Sequence, residues 1–177
     1  MHQLMTALRM VEAINNWIGK IVSLLPIPLV IIMIYEVIAR YVFGSPTSWA
    51  FDVGVLIFAI YVAMIGAYAL LYGSHINVDI FYSRWSPRMR AIMDIITFFF
   101  ILIFCIAILW KGYELMIFSL KTMETFSTSI VGVPLYPIKI ALVVGTLLVL
   151  LQSLVKFARD LVTTITGIQS ENTRNVL

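Results

Sequence analysis

Charged residues are scarce in this chain. Asp, Glu, Lys and Arg make up 12% of its 177 residues, about half the share of an ordinary soluble domain. Hydrophobic residues make up 62%, and a water-soluble fold of this size has no means of hiding that much apolar surface. The mean hydropathy of +1.01 leaves a lipid bilayer as the solvent. Cysteine is nearly missing as well. Cys105 stands alone inside an apolar run, so one chain forms neither a disulfide nor a cysteine metal site, and a buried small hydrophobe is its default role. Histidine occurs only as His2 and His75, which excludes paired axial haem ligands within the helices. There is no nucleophile with a neighbouring base, no glycine-rich phosphate loop and no metal constellation, so no enzyme active site can be assembled. No cleavable leader is expected either. The first apolar stretch is too long for a signal peptide and has no small-residue cleavage site, so the first helix is expected to stay as the insertion signal.

What the chain has instead is four long apolar runs, at 21–43, 49–72, 91–117 and 135–157. Each reaches the roughly 20 residues that a helix needs to cross the hydrocarbon. Helix is the only reasonable form, because unsatisfied backbone in lipid costs several kcal/mol per group and the alternation of a barrel strand is absent. The fold class is therefore an all-α integral membrane protein with four transmembrane helices. It is expected as one domain over 1–166 with a polar, disordered tail at 167–177. All four tryptophans, Trp17, Trp49, Trp85 and Trp110, fall at predicted water interfaces, as do Tyr41, Tyr72, Tyr82, Tyr113 and Tyr136. Ser45 before Pro46 and Ser86 before Pro87 read as N-caps with proline at the first helical position, which predicts the starts of the second and third helices.

The net charge of +3 would suggest nucleic acid in a soluble protein; in a membrane protein it reports orientation, and no nucleic-acid partner is expected. One side holds Arg9, Lys20, Arg84, Arg88, Arg90, Lys156, Arg159 and Arg174, and the other holds Arg40, Lys111, Lys121 and Lys139. That bias predicts both termini and the middle loop in the cytoplasm. The connection at 44–48 is a tight hairpin, whereas 73–90 and 119–134 exceed the usual helix connection. In the middle one, Ile76, Val78, Ile80, Phe81 and Trp85 alternate with Asn77, Asp79, Ser83 and Arg84, which suits a short interfacial helix between the second and third spans.

Few residues carry candidate chemistry. Glu36 and Arg40 are four apart with the acid first, the better order for a helical ion pair. An ionisable pair within a span either meets a partner or an ion path, or snorkels at the interface. Asp52, one turn into the second helix, is placed to join them across the hairpin beneath Trp49. Ala59, Ala63 and Ala67, with Gly66 beside them, form a small-residue ridge that admits another helix closely, and internal packing explains it most simply. His75 and Asp79 are spaced as a helical metal pair but lack a third ligand, so no metal site is expected. Lys139 opposes the positive end of the fourth helix and would snorkel outward, while Gln152 seeks an interhelical hydrogen bond.

Taken in order, several of these pieces resemble a known family. They are Glu36-Val-Ile-Ala-Arg40-Tyr41-Val-Phe, Trp49 with Asp52, Gly66, Gly73-Ser-His75-Ile-Asn-Val-Asp79, Pro134-Leu-Tyr-Pro137-Ile-Lys139 and Leu151-Gln152. From Trp17 to Asp160 the chain resembles the small, four-helix DctQ-type permease subunit of tripartite ATP-independent periplasmic (TRAP) transporters, in the branch labelled for mannitol or chloroaromatic substrates. It departs from the family in having Asp52 where a Glu is usual and Val133 where a second proline is usual. The resemblance implies a non-catalytic subunit of the bacterial inner membrane that scaffolds a large elevator-type membrane subunit. It also implies help in docking a periplasmic substrate-binding protein, in a sodium-driven system for organic acids. No cofactor is expected in this chain, with the sodium ions bound by the large subunit. Glu36, Arg40, Trp49, Asp52, His75, Asp79, Lys139 and Gln152 are then candidates for partner contact. The rival class is an autonomous proton- or cation-coupled carrier built on Glu36.

Overall fold

The computed structural model describes residues 2–72, 87–126 and 132–166. They fold into α1 (His2–Val22), α2 (Pro26–Tyr41), α3 (Ala50–Leu71), α4 (Pro87–Thr122) and α5 (Tyr136–Thr166). Four segments are long and apolar enough to cross a membrane: Leu8–Tyr41, Ala50–Leu71, Ile96–Thr122 and Tyr136–Ala158. The first of them contains a break. Pro26 and Pro28 lack the N–H groups that would continue the ladder from α1, and Leu24 and Leu25 donate instead to Ile21 and Val22 through three-residue turns. The chain straightens at once into α2 with proline at its first turn, where the missing donor costs nothing.

The spans lie in an open row. α1 and α2 run antiparallel to α3, with Gly19 against Tyr68 and Gly54 against Met33. α3 runs parallel to α5, with Gly145 against Ala63 and Gly66 against Val149. α4 runs antiparallel to α5, Gly112 lying on Val143 and Phe98 stacking on Phe157 at 4.2 Å. α3 and α5 are thus the centre of a slab, α1 and α2 form one edge, and α4 packs mainly on α5 at the other. The beginning of α1 and the end of α5 lie at one end, and the α2–α3 hairpin lies at the other. Lipid tails are as apolar as leucine, so the slab is held by close packing and polar contacts rather than by a hydrophobic core.

Several expectations change. α1 begins at His2, well before the first apolar run at 21–43. Ser45 does not cap the second helix. α3 starts at Ala50 with Trp49 in the cap position, since the Ser45 amide donates to the Ala39 carbonyl and the 45–47 segment closes off α2 instead. Gly44 makes that reversal with φ +61°, a left-handed conformation natural to glycine. Pro87 does open α4. α4 also runs on past Trp110, Lys111 and Tyr113 to Thr122, beyond the expected end of the third span at 117. The 119–134 connection is shorter than it looked. α4 runs on to Thr122, and beyond it Phe126 N donates to Val133 O while Leu135 N donates to Glu124 O, folding the segment back on itself. Of the 73–90 segment where an interfacial helix is expected, 87–90 is the start of α4, while 73–86, with His75, Asp79, Tyr82 and Trp85, and the tail beyond Thr166 lie outside the described residues.

Candidate functional site

At the hairpin end, Glu36 gathers four hydrogen bonds. Its Oε1 accepts from Arg40 Nε at 3.1 Å and Nη2 at 2.6 Å. Its Oε2 accepts from the Thr47 amide at 3.1 Å and from the Thr47 hydroxyl. The Glu36 side chain is 9% exposed and that of Arg40 51%, so the acid is the sheltered partner and the guanidinium faces outward. The i,i+4 pair stands as the spacing predicts, but its third member is Thr47. Asp52 is buried in the first turn of α3, where a carboxylate suits the helix dipole, and it makes no ion pair with Arg40 among the described residues. Trp49 stacks on Tyr35 at 6.0 Å and closes the hairpin's outer surface.

Lys139 does not snorkel. Its side chain is 19% exposed and its ammonium donates to Glu124, which is not among the candidates the sequence offers. The placement of Glu124 follows from how α4 ends. Met123 adopts φ +46° and the Glu124 amide reaches back to the Ser119 carbonyl, the six-to-one bond of a Schellman cap. That cap turns the Glu124 side chain toward the first turn of α5. The Lys139 ammonium holds the Glu124 carboxyl below the ordinary carboxylate range and offsets the unfavourable position of a cation at a helix start. The left-handed cap position usually takes glycine or asparagine, so Met123 gives the sequence no signal for this turn.

At the opposite end, Gln152 Oε1 accepts from Asn15 Nδ2 at 2.7 Å, both residues buried. Tyr72 donates to Asn16 at 3.0 Å. These bonds tie α1 to α5 and α3. Gln152 therefore has the interhelical bond expected of it, supplied by a helix the sequence reading had left unassigned. Within the ridge of Ala59, Ala63, Gly66 and Ala67, two members meet α5: a Cβ at Gly145 would lie 2.0 Å from the Ala63 carbonyl oxygen, and one at Gly66 would lie 3.2 Å from Val149. Among the described residues no group of three His, Cys, Asp or Glu could hold a metal.

These features define a multi-pass membrane protein whose small residues and many of whose polar side chains join its own helices. The family model described as tripartite ATP-independent periplasmic transporters, DctQ component, matches residues 29–163. The chain belongs to that family and is the small subunit of a TRAP transporter, an integral component of the inner membrane. The family is a transporter component that works beside a large membrane subunit and a binding protein. The match does not divide the family by substrate, and among curated proteins none matches the chain.

Proposed function

We propose that this subunit is a fixed scaffold: it widens the static part of the transporter around the large elevator-type subunit and helps seat the periplasmic binding protein. The observation that carries the proposal is the saturation of Glu36. A carboxylate that shuttles a proton or cation needs a free coordination site, and this one accepts four donors from Arg40 and Thr47. The rim made by Arg40, Trp49 and the Glu124–Lys139 pair supplies charged and aromatic groups at the end expected to face the periplasm, with both termini in the cytoplasm. Substrate and sodium sites then belong to the large subunit, the driving force is a sodium gradient and the substrates are organic acids.

The test is a Glu36→Gln variant in the assembled transporter. Scaffolding predicts weaker assembly or weaker binding-protein docking with unchanged substrate and sodium affinities in whatever complex survives. A changed sodium or substrate affinity with intact assembly would place the ion path in this chain.

A further inference from the structure

Lys111 and Glu114 form an ion pair at 2.9 Å with side chains 73% and 66% exposed. Their depth is fixed from two directions. Along α4, Lys111 lies about 16 Å, at 1.5 Å per residue, before Thr122, where the helix ends. Across the slab, the adjacent Gly112 packs on Val143, and Gly145, two residues further along α5, packs on Ala63. Ala63 is about 20 Å from Ala50 and about 12 Å from Leu71 by the same rise. A bilayer hydrocarbon core is about 30 Å thick, so an open charged pair sits in its middle third.

Ionisable residues at that depth almost always face protein or a water-filled cavity. Among the described residues nothing covers the pair. The Lys111 ammonium is engaged by Glu114 one turn nearer Thr122, where it forms the centre of a stripe. Phe100, Phe104, Ala107, Lys111, Glu114 and Phe118 follow the spacing of one helix face, and Ala107 leaves a notch beside the charges. This stripe flanks the side of α4 that packs on α5, where Cys105, Gly112 and Ser119 are buried. The other free edge of the slab differs. The groove along α2 is lined by Leu29, Val30, Met33, Ile34, Val37 and Ile38, all apolar and suited to lipid tails.

We propose that the α4 edge, centred on Lys111 and Glu114, is the surface that packs against the large membrane subunit. That subunit then presents polar or charged side chains at the same depth, answering a cation and an anion one turn apart. This inference rests on the subunit reading above, because membership of a multi-component transporter family is what puts a second membrane protein beside the chain.

The experiment uses the whole transporter. A Lys111→Leu, Glu114→Leu double variant removes both charges together, so it leaves no lone charge in lipid and inserts at least as well as the natural chain. Its recovery of the large subunit on co-purification should fall at least ten-fold. A photo-reactive amino acid at Phe104 or Phe118 should capture the large subunit, and one at Val30 or Ile34 should capture lipid. Undiminished co-purification by the double variant would overturn the inference. So would capture of a second copy of this chain, or of lipid alone, from the α4 stripe. Failure of the natural chain to recover any large subunit would overturn the subunit reading itself, and this inference with it.

Discussion

Replacing Gly145 by alanine should loosen the centre of the slab, and the size of the effect follows from the geometry. The new methyl carbon would stand 2.0 Å from the Ala63 carbonyl oxygen, 2.7 Å from its carbon and 3.3 Å from Met64 Cα. All three are backbone atoms, so no side-chain rotation relieves the clash. Reaching an ordinary close C···O separation of about 3.3 Å requires α3 and α5 to part by about 1.3 Å, and packing along the whole contact is lost with them. Overpacking of this kind costs about 1–3 kcal/mol. Alanine returns up to about 1 kcal/mol of helix propensity, leaving a net loss of up to about 2 kcal/mol. Gly112→Ala is the internal control. There the methyl meets the Val143 and Leu142 side chains at 3.3 and 3.9 Å, which can yield by a few tenths of an ångström, so the propensity gain should leave stability unchanged or raised. Equilibrium unfolding in mixed micelles, followed by tryptophan fluorescence, measures both variants. Equal stability of the two would refute the close approach of α3 to α5.

Arg40→Ala strips both guanidinium bonds from the sheltered Glu36, whereas removing Glu36 as well leaves no lone charge. The double variant should therefore recover part of the folded yield lost by the single one, and a double variant worse than either single would contradict the pairing. Glu124 has a folded-state carboxyl below its ordinary range, so the stabilisation from Lys139 is present at neutral pH. It is lost as the pH falls through that lowered value. Hydrogen exchange at the Phe126 and Leu135 amides should accelerate across that acid window in the natural chain and show no such step in Lys139→Met; an identical profile would exclude the pair. Asn15→Leu leaves the buried Gln152 without its donor and should cost about 1–3 kcal/mol. Adding Gln152→Leu should restore most of that in the same unfolding assay, and no restoration would mean that the two side chains do not depend on one another.

The spans were legible because a run of apolar residues long enough to cross a bilayer has no other stable form, and Glu36 with Arg40 was legible because their contact is local to one helix. Glu124 with Lys139 and Asn15 with Gln152 were not. Those pairs join distant parts of the chain, and their formation depends on a Schellman cap at Met123 and on a helix continuing backward from the first span. Lys111 and Trp110 misled for a different reason. Charge and aromatic rings usually mark the membrane boundary, and here α4 runs on past them to Thr122. Of the Ala59 to Ala67 ridge, Ala63 lies against Gly145 and Gly66 against Val149.

The central claim, that the chain is a subunit and not a carrier, is tested most directly by reconstitution into vesicles. With this chain as the only protein, the account predicts no uptake of organic acids under a sodium or proton gradient. Uptake should appear when the large membrane subunit, the binding protein and a sodium gradient are added together. Uptake by this chain alone, abolished by Glu36→Gln, would contradict it.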